Sequence, residues 1–359
     1  MSSMWGNNIK LSLFGESHGK GIGVVLDGLP SGFELDFDLI NKQMQRRAPG
    51  KNDTSTPRKE KDAFEIISGL FHGKTTGTPL CCLIRNMDTR SEDYEKVHHI
   101  IRPGHADYTG TIKYKGFNDF RGGGHFSGRL TAPLVFAGSI AMQILIKREI
   151  YIGSHIMNIA GISDRPYDHT SLNKEVFQSL SRKEISTLDD HIGLKMKEAI
   201  IHAKSLKDSV GGIIETAILN TPAGLGDPFF DSVESKLSSM MFSIPAVKGI
   251  EFGSGFNLAQ MKGSESNDAF MLSHGKVSTL TNHNGGILGG ITNGMPIVFK
   301  TVIKPTPSIG KVQKSIDLTT MNETEIEISG RHDPCIVLRA LPVMEAAASL
   351  VILDILSDD

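Results

Sequence analysis

The sequence predicts an α+β fold built as one large domain. Two observations lead to this class: several segments carry apolar residues at helical spacing, and short β-rich runs lie between them without the regular strand–helix alternation of a barrel. The 359 residues fit two average domains or one large one, and no low-complexity linker divides them. We therefore treat residues 1–359 as a single domain. A chain of this size hides about three-quarters of its unfolded surface when it folds.

Five helices are expected from apolar spacing and from the residues at their ends. Asp36 is a suitable N-cap for the first helix, and Pro49-Gly50 would end it. The second helix is apolar almost all round, so we expect it to be buried. The last begins at Pro342, because proline is favoured in the first turn of a helix. The predicted ranges are 36–47, 131–147, 190–207, 231–241 and 342–356.

Short β-rich or apolar runs bounded by Gly, Pro or Asn predict six strands, at 21–26, 66–68, 80–84, 212–219, 247–252 and 296–302. Residues 21–47 and 211–241 share one order of elements: a strand, a Pro-x-Gly turn and a helix. This likeness has two interpretations of equal weight. One is an internal duplication within the domain, and the other is that strand–turn–helix units are common in all proteins.

Charge and cysteine usage exclude several classes of protein. Lys+Arg number 38 and Asp+Glu number 40, so a formal charge of −2 gives no global attraction to nucleic acid or to an anionic membrane. Three cysteines, two of them adjacent, indicate a reduced intracellular protein. The N-terminus has no apolar stretch of signal-peptide length, and the longest apolar runs are short for a membrane span. We therefore expect a cytoplasmic protein.

The first of three Gly-rich regions that could carry chemistry is GESHGKG at 15–21. Its small neighbours leave His18 accessible to a ligand. Ser17 directly precedes His18, so their side chains need not meet, and a Ser–His hydrolytic pair is unsupported. No HExxH or Cys-x-x-Cys pattern of the usual zinc sites occurs. The histidines expected at the surface or in packing contacts are those at 98, 99, 155, 169 and 202.

The second region combines RPGHAD at 102–107 with RGGGHFSGR at 121–129. Three consecutive glycines that open a buried helix suit an anion, because backbone N–H groups and the helix N-terminus supply partial positive charge. The motif is neither a P-loop nor a GxGxxG fingerprint. A plain turn with flexible glycines is the alternative interpretation.

The third region lies late in the chain and suits a phosphate-bearing cofactor. It contains GGILGG at 285–290, KPTPS at 304–308 and RHDPC at 331–335, with Arg339 further on. Lysine, hydroxyl and arginine donors are typical of phosphate contacts. A basic stretch at 46–61 is either a solvated charge run or a loop that closes over an anionic substrate.

Together these blocks resemble the chorismate synthase family. The segments GESHGKGIGVVLDGLPSG, RRAPGKNDTSTPRKEKD, RPGHADYTG, RGGGHFSGRLTA, GGILGGITNGMP, KPTPS and GRHDPC occur in the order and spacing of that family, from about residue 6 to residue 355. The resemblance implies conversion of 5-enolpyruvylshikimate 3-phosphate to chorismate and phosphate, an anti-1,4-elimination that ends the shikimate pathway. It also implies a requirement for reduced FMN, a homotetramer and a layered β-α-β-α sandwich.

The resemblance further implies the site residues. His18 and His105 match two active-site histidines, one of which protonates the leaving phosphate while the other protonates or holds the reduced flavin. Asp333 matches an acid near the flavin. Guanidinium groups suit the substrate's phosphate and two carboxylates, and the candidates to bind it are Arg46, Arg47, Arg129 and Arg339, with Lys51 added. The expected FMN contacts are His125, Phe126, Ser127, Ala246, Gly289, Lys304, Pro305, Thr306, Pro307, Ser308 and Arg331.

Two positions depart from the family pattern. His125 stands where the family has Arg, which makes the charge at this FMN contact dependent on pH. Asp53 stands where the family has a substrate-binding Arg. We expect Lys51 to supply the missing cation, while Asp53 faces solvent or pairs with Arg58. The chain length leaves no room for an NAD(P)H-dependent flavin reductase domain, so a separate reductase is expected to supply reduced FMN.

Two other functions remain open from the sequence. One is a different phospho-substrate lyase or a hydrolase that uses the two histidines without flavin. The other is a non-catalytic flavin- or anion-binding oligomer. The presence of His18, His105 and Asp333 argues against the second of these.

Overall fold

Two five-stranded antiparallel sheets frame the protein. The computed structural model describes residues 3–50, 54, 62–87, 99–273, 275–328 and 333–356. In chain order its strands are β1 Met4–Trp5, β2 Lys10–Gly15, β3 Gly21–Asp27, β4 Phe64–Ser68, β5 Leu70–Phe71, β6 Lys74–Thr75, β7 Leu80–Arg85, β8 Tyr151–Ile159, β9 Ile162–Ser163, β10 Gly212–Leu219, β11 Val247–Phe252, β12 Phe270–Ser273, β13 Lys276–Thr279, β14 Ile287–Leu288, β15 Ile291–Thr292, β16 Ile297–Ile303, β17 Gln313–Asp317 and β18 Asn322–Ile326.

Helices fill the space between the two sheets and cover the second sheet. The α-helices of the described residues are α1 Phe37–Arg47, α2 Asp107–Lys113, α3 Thr131–Lys147, α4 Lys174–Leu180, α5 Asp190–Ser205, α6 Val233–Ser243, α7 Gly263–Ser266 and α8 Val337–Leu356. Helices α1, α3, α6 and α8 form the inner layer, whereas α4 and α5 pack on the far side of the second sheet.

Alternating side chains of β8 explain how the second sheet carries a helical layer on each face. Ile152 and Ile156 belong to the main core with α3 and α8. Gly153 lies on the opposite face, where a Cβ atom would fall 2.2 Å from Cγ of Phe177 in α4. The predicted β-α-β-α sandwich is therefore confirmed.

The two halves of the sandwich repeat one topology. The strand order is β1-β2-β3-β7-β4 in the first sheet and β9-β8-β10-β16-β11 in the second. When the inserted smaller elements are left aside, each half runs as two strands, a helix, two further strands and a long inner helix: β2, β3, α1, β4, β7 and α3 in the first half, and β8, β10, α6, β11, β16 and α8 in the second. The long helices pack closely, since a Cβ on Gly138 would fall 2.3 Å from Cβ of Ala346. This repeat of topology is what an internal duplication would produce, and it favours that interpretation of the likeness in sequence.

Most predicted elements form, with corrections at two helix starts. Asp36 caps α1 by accepting from the N–H of Leu39. The prediction that the last helix begins at Pro342 is wrong, because α8 begins at Val337 and contains Pro342. Val337 and Leu341 are buried in the core, and this burial offsets the hydrogen bond that proline cannot make. Likewise α6 begins at Val233, after its Ser232 cap.

Helix α3 is strongly apolar along its whole length. In the described part of the chain, the segment Gly128–Lys147 is the one helix long and apolar enough to cross a membrane, with a mean hydropathy of 1.6. The apolar stretch of this segment is 89% buried inside the molecule, as the core helix of a globular protein would be.

Candidate active site

A triple-glycine loop leads into α3 and forms the centre of the candidate site. Gly122, Gly123 and Gly124 have φ values of 59°, 83° and 52°, in the left-handed region that favours glycine. The chain then passes through a short 3₁₀ turn, Gly128–Leu130, into α3. The expected arrangement of glycines that open a buried helix is therefore present.

Both predicted catalytic histidines lie against this loop. A Cβ atom on Gly122 would come within 2.3 Å of Cδ2 of His18, and one on Gly123 within 3.1 Å of Nε2 of His105. Consecutive Cα atoms are about 3.8 Å apart, so the two imidazoles are brought to neighbouring points of one backbone. The loop needs glycine for its conformation and also for the space that the two rings occupy.

The turn that carries His18 is anchored to the glycine loop by two hydrogen bonds. The N–H of Ser17 donates to the carbonyl of Gly124 at 3.1 Å. Nδ1 of His125 lies 3.0 Å from the carbonyl oxygen of Gly15. His125 therefore ties the two loops together in this structure.

A carboxylate orients the ring of His105. Oδ1 of Asp107 lies 2.7 Å from Nδ1 of His105 and accepts from Nη2 of Arg102 at 2.6 Å. Burial opposes ionisation of Asp107, but the hydrogen bonds from Arg102 and His105 outweigh it and hold its pKa well below its usual range. Because Nδ1 of His105 is engaged by Asp107, Nε2 is the ring nitrogen that is left for a ligand.

Three arginines converge beside the loop. Asp62 accepts from Nη1 of Arg47 at 2.7 Å and from Nη1 of Arg129 through its other oxygen. Arg339 donates from Nε to the carbonyl of Arg47 at 3.0 Å and from Nη1 to Asp333 at 2.5 Å. We call Arg47, Arg129 and Arg339 the arginine cluster. Two carboxylates of the described residues, Asp62 and Asp333, contact these three guanidinium groups.

Electrostatics in the arginine cluster favour an added anion. Burial, together with the charges of Arg339 and Arg129, lowers the pKa of Arg47 to about 10 in spite of its ion pair with Asp62. An anion would relieve this repulsion. Arg129 lies two residues before the start of α3, and Arg339 lies in the first turn of α8. The N-termini of two long helices therefore add partial positive charge nearby.

The KPTPS loop, residues 304–308, lies next to the loop of His105. Nζ of Lys304 donates to the carbonyl of Gly104 at 2.5 Å, and Pro307 lies against the same glycine. The N–H of Lys304 donates to the carbonyl of Ala246 at 3.0 Å. Three predicted FMN contacts, Ala246, Lys304 and Pro307, are thereby brought beside His105.

Two features of the KPTPS loop suit a phosphate. Burial and the nearby charge of Lys248 both lower the pKa of Lys304, so an anion bound here would relieve the repulsion between the two lysines. Oγ1 of Thr306 is buried, and among the described residues it has no hydrogen-bond partner. The backbone of the loop is fixed from behind, since Oγ of Ser209 donates to the carbonyl of Thr306 at 2.7 Å and Pro305 packs against Gly211. Ser308 ends the loop.

Several predicted residues lie apart from these groups. Arg46 forms a two-pronged ion pair with Glu345 at 2.5 and 3.0 Å, so its guanidinium is committed to α8 rather than to the arginine cluster. Gly289 lies in the turn between β14 and β15, which packs on the start of α6 through Gly290. Phe126 packs on Gly110 of α2, and Ser127 caps the 3₁₀ turn. The predicted residues Lys51, Asp53, Arg58 and Arg331 lie outside the described residues.

Sequence reasoning did not assign roles to Asp62, Asn86 and Asp107. Asp107 carried a usable signal, because it lies two residues after His105 in one motif. Asp62 and Asn86 carried none, since each meets Arg129 only through the fold.

Comparisons with known proteins identify the family of this chain. The family model described as chorismate synthase matches residues 9–356. A chorismate synthase of Pyrococcus abyssi is 47% identical over 351 residues, which cover 98% of this chain and 96% of that protein. A chorismate synthase of Dehalococcoides mccartyi is 43% identical over 355 residues, which cover 99% of this chain and 96% of that protein.

A solved structure shows the same fold. A crystal structure of chorismate synthase superposes with a TM-score of 0.77 at 29% identity, and the match covers 99% of this chain and 93% of the other. Because the family model and relatives at 43% and 47% identity each span nearly the full length, the chain belongs to the chorismate synthase family.

Proposed function

We propose that this protein catalyses the anti-1,4-elimination of phosphate from 5-enolpyruvylshikimate 3-phosphate, giving chorismate, and that it requires reduced FMN. Membership of the family supports the reaction. The observation that carries it here is the placement of two imidazoles on consecutive glycines beside an arginine cluster. Such a site combines proton donors with a receptor for several anionic groups.

The arginine cluster would bind the anionic groups of the substrate. Guanidinium pairs with phosphate or carboxylate through parallel N–H donors, and such bonds are stronger in a water-poor site. Arg47 and Arg129 are nearly inaccessible, with side-chain exposures of 3% and 4%. Their orientation is fixed by Asp62 before substrate arrives, which lowers the entropy cost of binding.

The contacts around each histidine suggest how the two proton roles divide. The turn of His18 is linked through Asn86 to Arg129 of the arginine cluster, so His18 is the candidate to protonate the departing phosphate. His105 follows Gly104, the glycine that receives Nζ of Lys304, so His105 is the candidate to hold or protonate the cofactor. Asp107 keeps Nδ1 of His105 engaged and presents Nε2.

The residues of the KPTPS loop fit a phosphate-bearing flavin. Lys304 and Lys248 supply positive charge, and the buried Oγ1 of Thr306 supplies a hydroxyl that the described protein groups leave unused. Residues 304–308 together with Ala246 would hold reduced FMN next to His105. When bound, reduced FMN supplies an electron-rich ring that offsets the electron demand created as phosphate departs. Asp333, which accepts from Nη1 of Arg339, is the candidate acid that would take up a proton near the flavin.

We also propose a homotetramer located in the cytoplasm that receives reduced FMN from a separate flavin reductase. The hairpin β12–β13 supports assembly, since Phe270, Leu272 and Val277 are 65%, 77% and 63% exposed. Light scattering should then give about four times the chain mass of 39.0 kDa. A monomer at micromolar concentration would contradict the tetramer.

The decisive experiment measures phosphate release from the enolpyruvyl substrate under anaerobic conditions, with and without reduced FMN. We expect release and chorismate formation only when reduced FMN is present. Release without flavin would identify a flavin-independent lyase or hydrolase. Binding of substrate and flavin without any release would identify a binding protein.

A further inference from the structure

Asn86, the residue directly after β7, connects the turn of His18 to the arginine cluster. We propose that Asn86 is a positioning residue that fixes His18 relative to Arg129. The kinetic consequence of this inference rests on the proposed function, whereas its structural consequence does not.

The side-chain amide of Asn86 contacts three groups on two separate segments. Nδ2 donates to the carbonyl oxygens of Glu16 and Gly19, both at 2.9 Å. Oδ1 accepts from Nε of Arg129 at 3.2 Å. The two carbonyls bracket Ser17 and His18, so one amide closes the turn that presents the imidazole and also contacts a residue of the arginine cluster.

The chemistry of these partners requires an amide of this length. Two carbonyl oxygens can only accept, and Nε of arginine can only donate, so the connecting group needs two donors at one end and an acceptor at the other. A carboxylate of the same shape would keep the contact with Arg129 but direct an oxygen at two carbonyl oxygens. A glutamine has the same amide group, but its side chain is longer by one methylene, so the amide would lie too far from the backbone to make these three contacts.

The contacts on the Arg129 side make this link stiff. Arg129 is held at Nη1 by Asp62 and at Nε by Asn86. The guanidinium group of Arg129 is therefore held at two edges, and the side chain of Asn86 connects it to the turn of His18. Because a shift of about 1 Å between reacting groups can cost about 10²-fold in rate, the separation of His18 from a bound phosphate should depend on Asn86.

Other contacts ensure that loss of the amide remains a local change. The N–H of Ser17 still donates to Gly124, and the N–H of Gly19 still donates to the carbonyl of Glu16. Strand β7 keeps its pairing with β3 and β4. Asn86→Ala is therefore expected to fold, with a less restrained turn at residues 16–19.

Amide hydrogen exchange of the protein without ligands tests the structural part. We expect Asn86→Ala to speed exchange in residues 16–19 by about tenfold, as the loss of one or two hydrogen bonds predicts. Arg85→Ala is the matched control, because its side chain is 66% exposed at the adjacent position and should leave that exchange unchanged. Unchanged exchange in Asn86→Ala would overturn the proposal, whatever reaction the protein catalyses.

Steady-state kinetics test the functional part. Asn86→Ala should lower kcat by about 10- to 100-fold while KM changes by less than about threefold, because misplacement affects the proton donor more than the anion contacts. Asn86→Asp should be no better than alanine. In a His18→Ala background, Asn86→Ala should cause no further loss, since its effect would act through His18. Rescue by aspartate, or a full additional loss in the double variant, would overturn the positioning role.

Discussion

The imidazole of His18 packs directly on the backbone of Gly122: a Cβ atom at that glycine would lie 2.3 Å from Cδ2 and 2.5 Å from Nε2 of the ring. No side chain larger than hydrogen fits there unless the ring moves. The position of His18, a candidate catalytic residue, therefore depends on the lack of a side chain at Gly122, which lies more than 100 residues later in the sequence.

Gly122→Ala should displace His18 and strain the loop. The φ of 59° at Gly122 costs an alanine about 1–2 kcal/mol of unfolding free energy, and the displaced ring should lower kcat by about 10²-fold. Gly263→Ala is the control, because nothing lies within 4 Å of its Cβ position, and its stability should change by less than about 0.5 kcal/mol. The contact with His18 would be unimportant if Gly122→Ala kept more than a third of the wild-type kcat.

His18→Ala and His105→Ala should each lower kcat by roughly 10²–10⁴-fold, the usual range for a positioned acid or base. Circular dichroism and molecular mass should remain those of the wild type, since both residues lie in turns. His202→Ala, an exposed histidine on α5, serves as the control. If His18→Ala or His105→Ala retained a third of the wild-type kcat, the substituted histidine would not be an acid or base in the reaction.

Asp62→Asn should destabilise the fold, because it leaves Arg47 and Arg129 buried without their shared counter-charge. Breaking a buried pair by removing one partner typically costs about 3–5 kcal/mol of unfolding free energy. Urea denaturation measures this loss. Glu65→Gln breaks an exposed ion pair with Arg85 and should cost less than about 1 kcal/mol. Equal effects of the two substitutions would show that Asp62 does not support the arginine cluster.

Glu215 should make the second sheet sensitive to acid. Its carboxylate contacts Nε2 of His155 at 2.8 Å and Nε2 of His169 at 3.0 Å, and it accepts from the N–H of Tyr167 at 2.7 Å. Burial raises the pKa of Glu215, but these partners outweigh it and lower the pKa to about 2.

The sign of the pH effect follows from this depressed pKa. The carboxylate's contribution to stability is complete above the pKa of the unfolded chain, near 4.5, and is lost as the pH falls toward about 2. We expect the unfolding free energy to decrease over this range, and the decrease to be smaller in Glu215→Gln. An identical acid dependence in both proteins would exclude Glu215 as its source.

The predicted helices and strands that formed share a strong local signal. The helix at 131–147 and the strand at 212–219 matched the structure because apolar residues dominate segments that are buried. The hairpin β17–β18 was missed, because its strands, QKSID and NETEI, are largely polar. It is held partly by a pairing that the sequence does not reveal, from the N–H of Ile101 to the carbonyl of Ile316.

The candidate site also has a part that the sequence predicts and a part that it does not. The glycines and histidines of the site stand in short motifs whose composition suggests ligand contact. By contrast, Arg46 and Arg47 are indistinguishable as neighbours in sequence, yet their positions on α1 direct one to Glu345 and the other to Asp62. The distribution of charges among buried partners depends on helix rotation and packing, which a motif cannot supply.

The most direct test of the account follows chorismate formation and flavin oxidation state together under anaerobic conditions, with one equivalent of reduced FMN per site. The elimination has no net redox change, so we predict many turnovers while the flavin spectrum remains that of the reduced form. Oxidation of one reduced FMN for each chorismate formed, or chorismate formation without reduced FMN, would contradict the account.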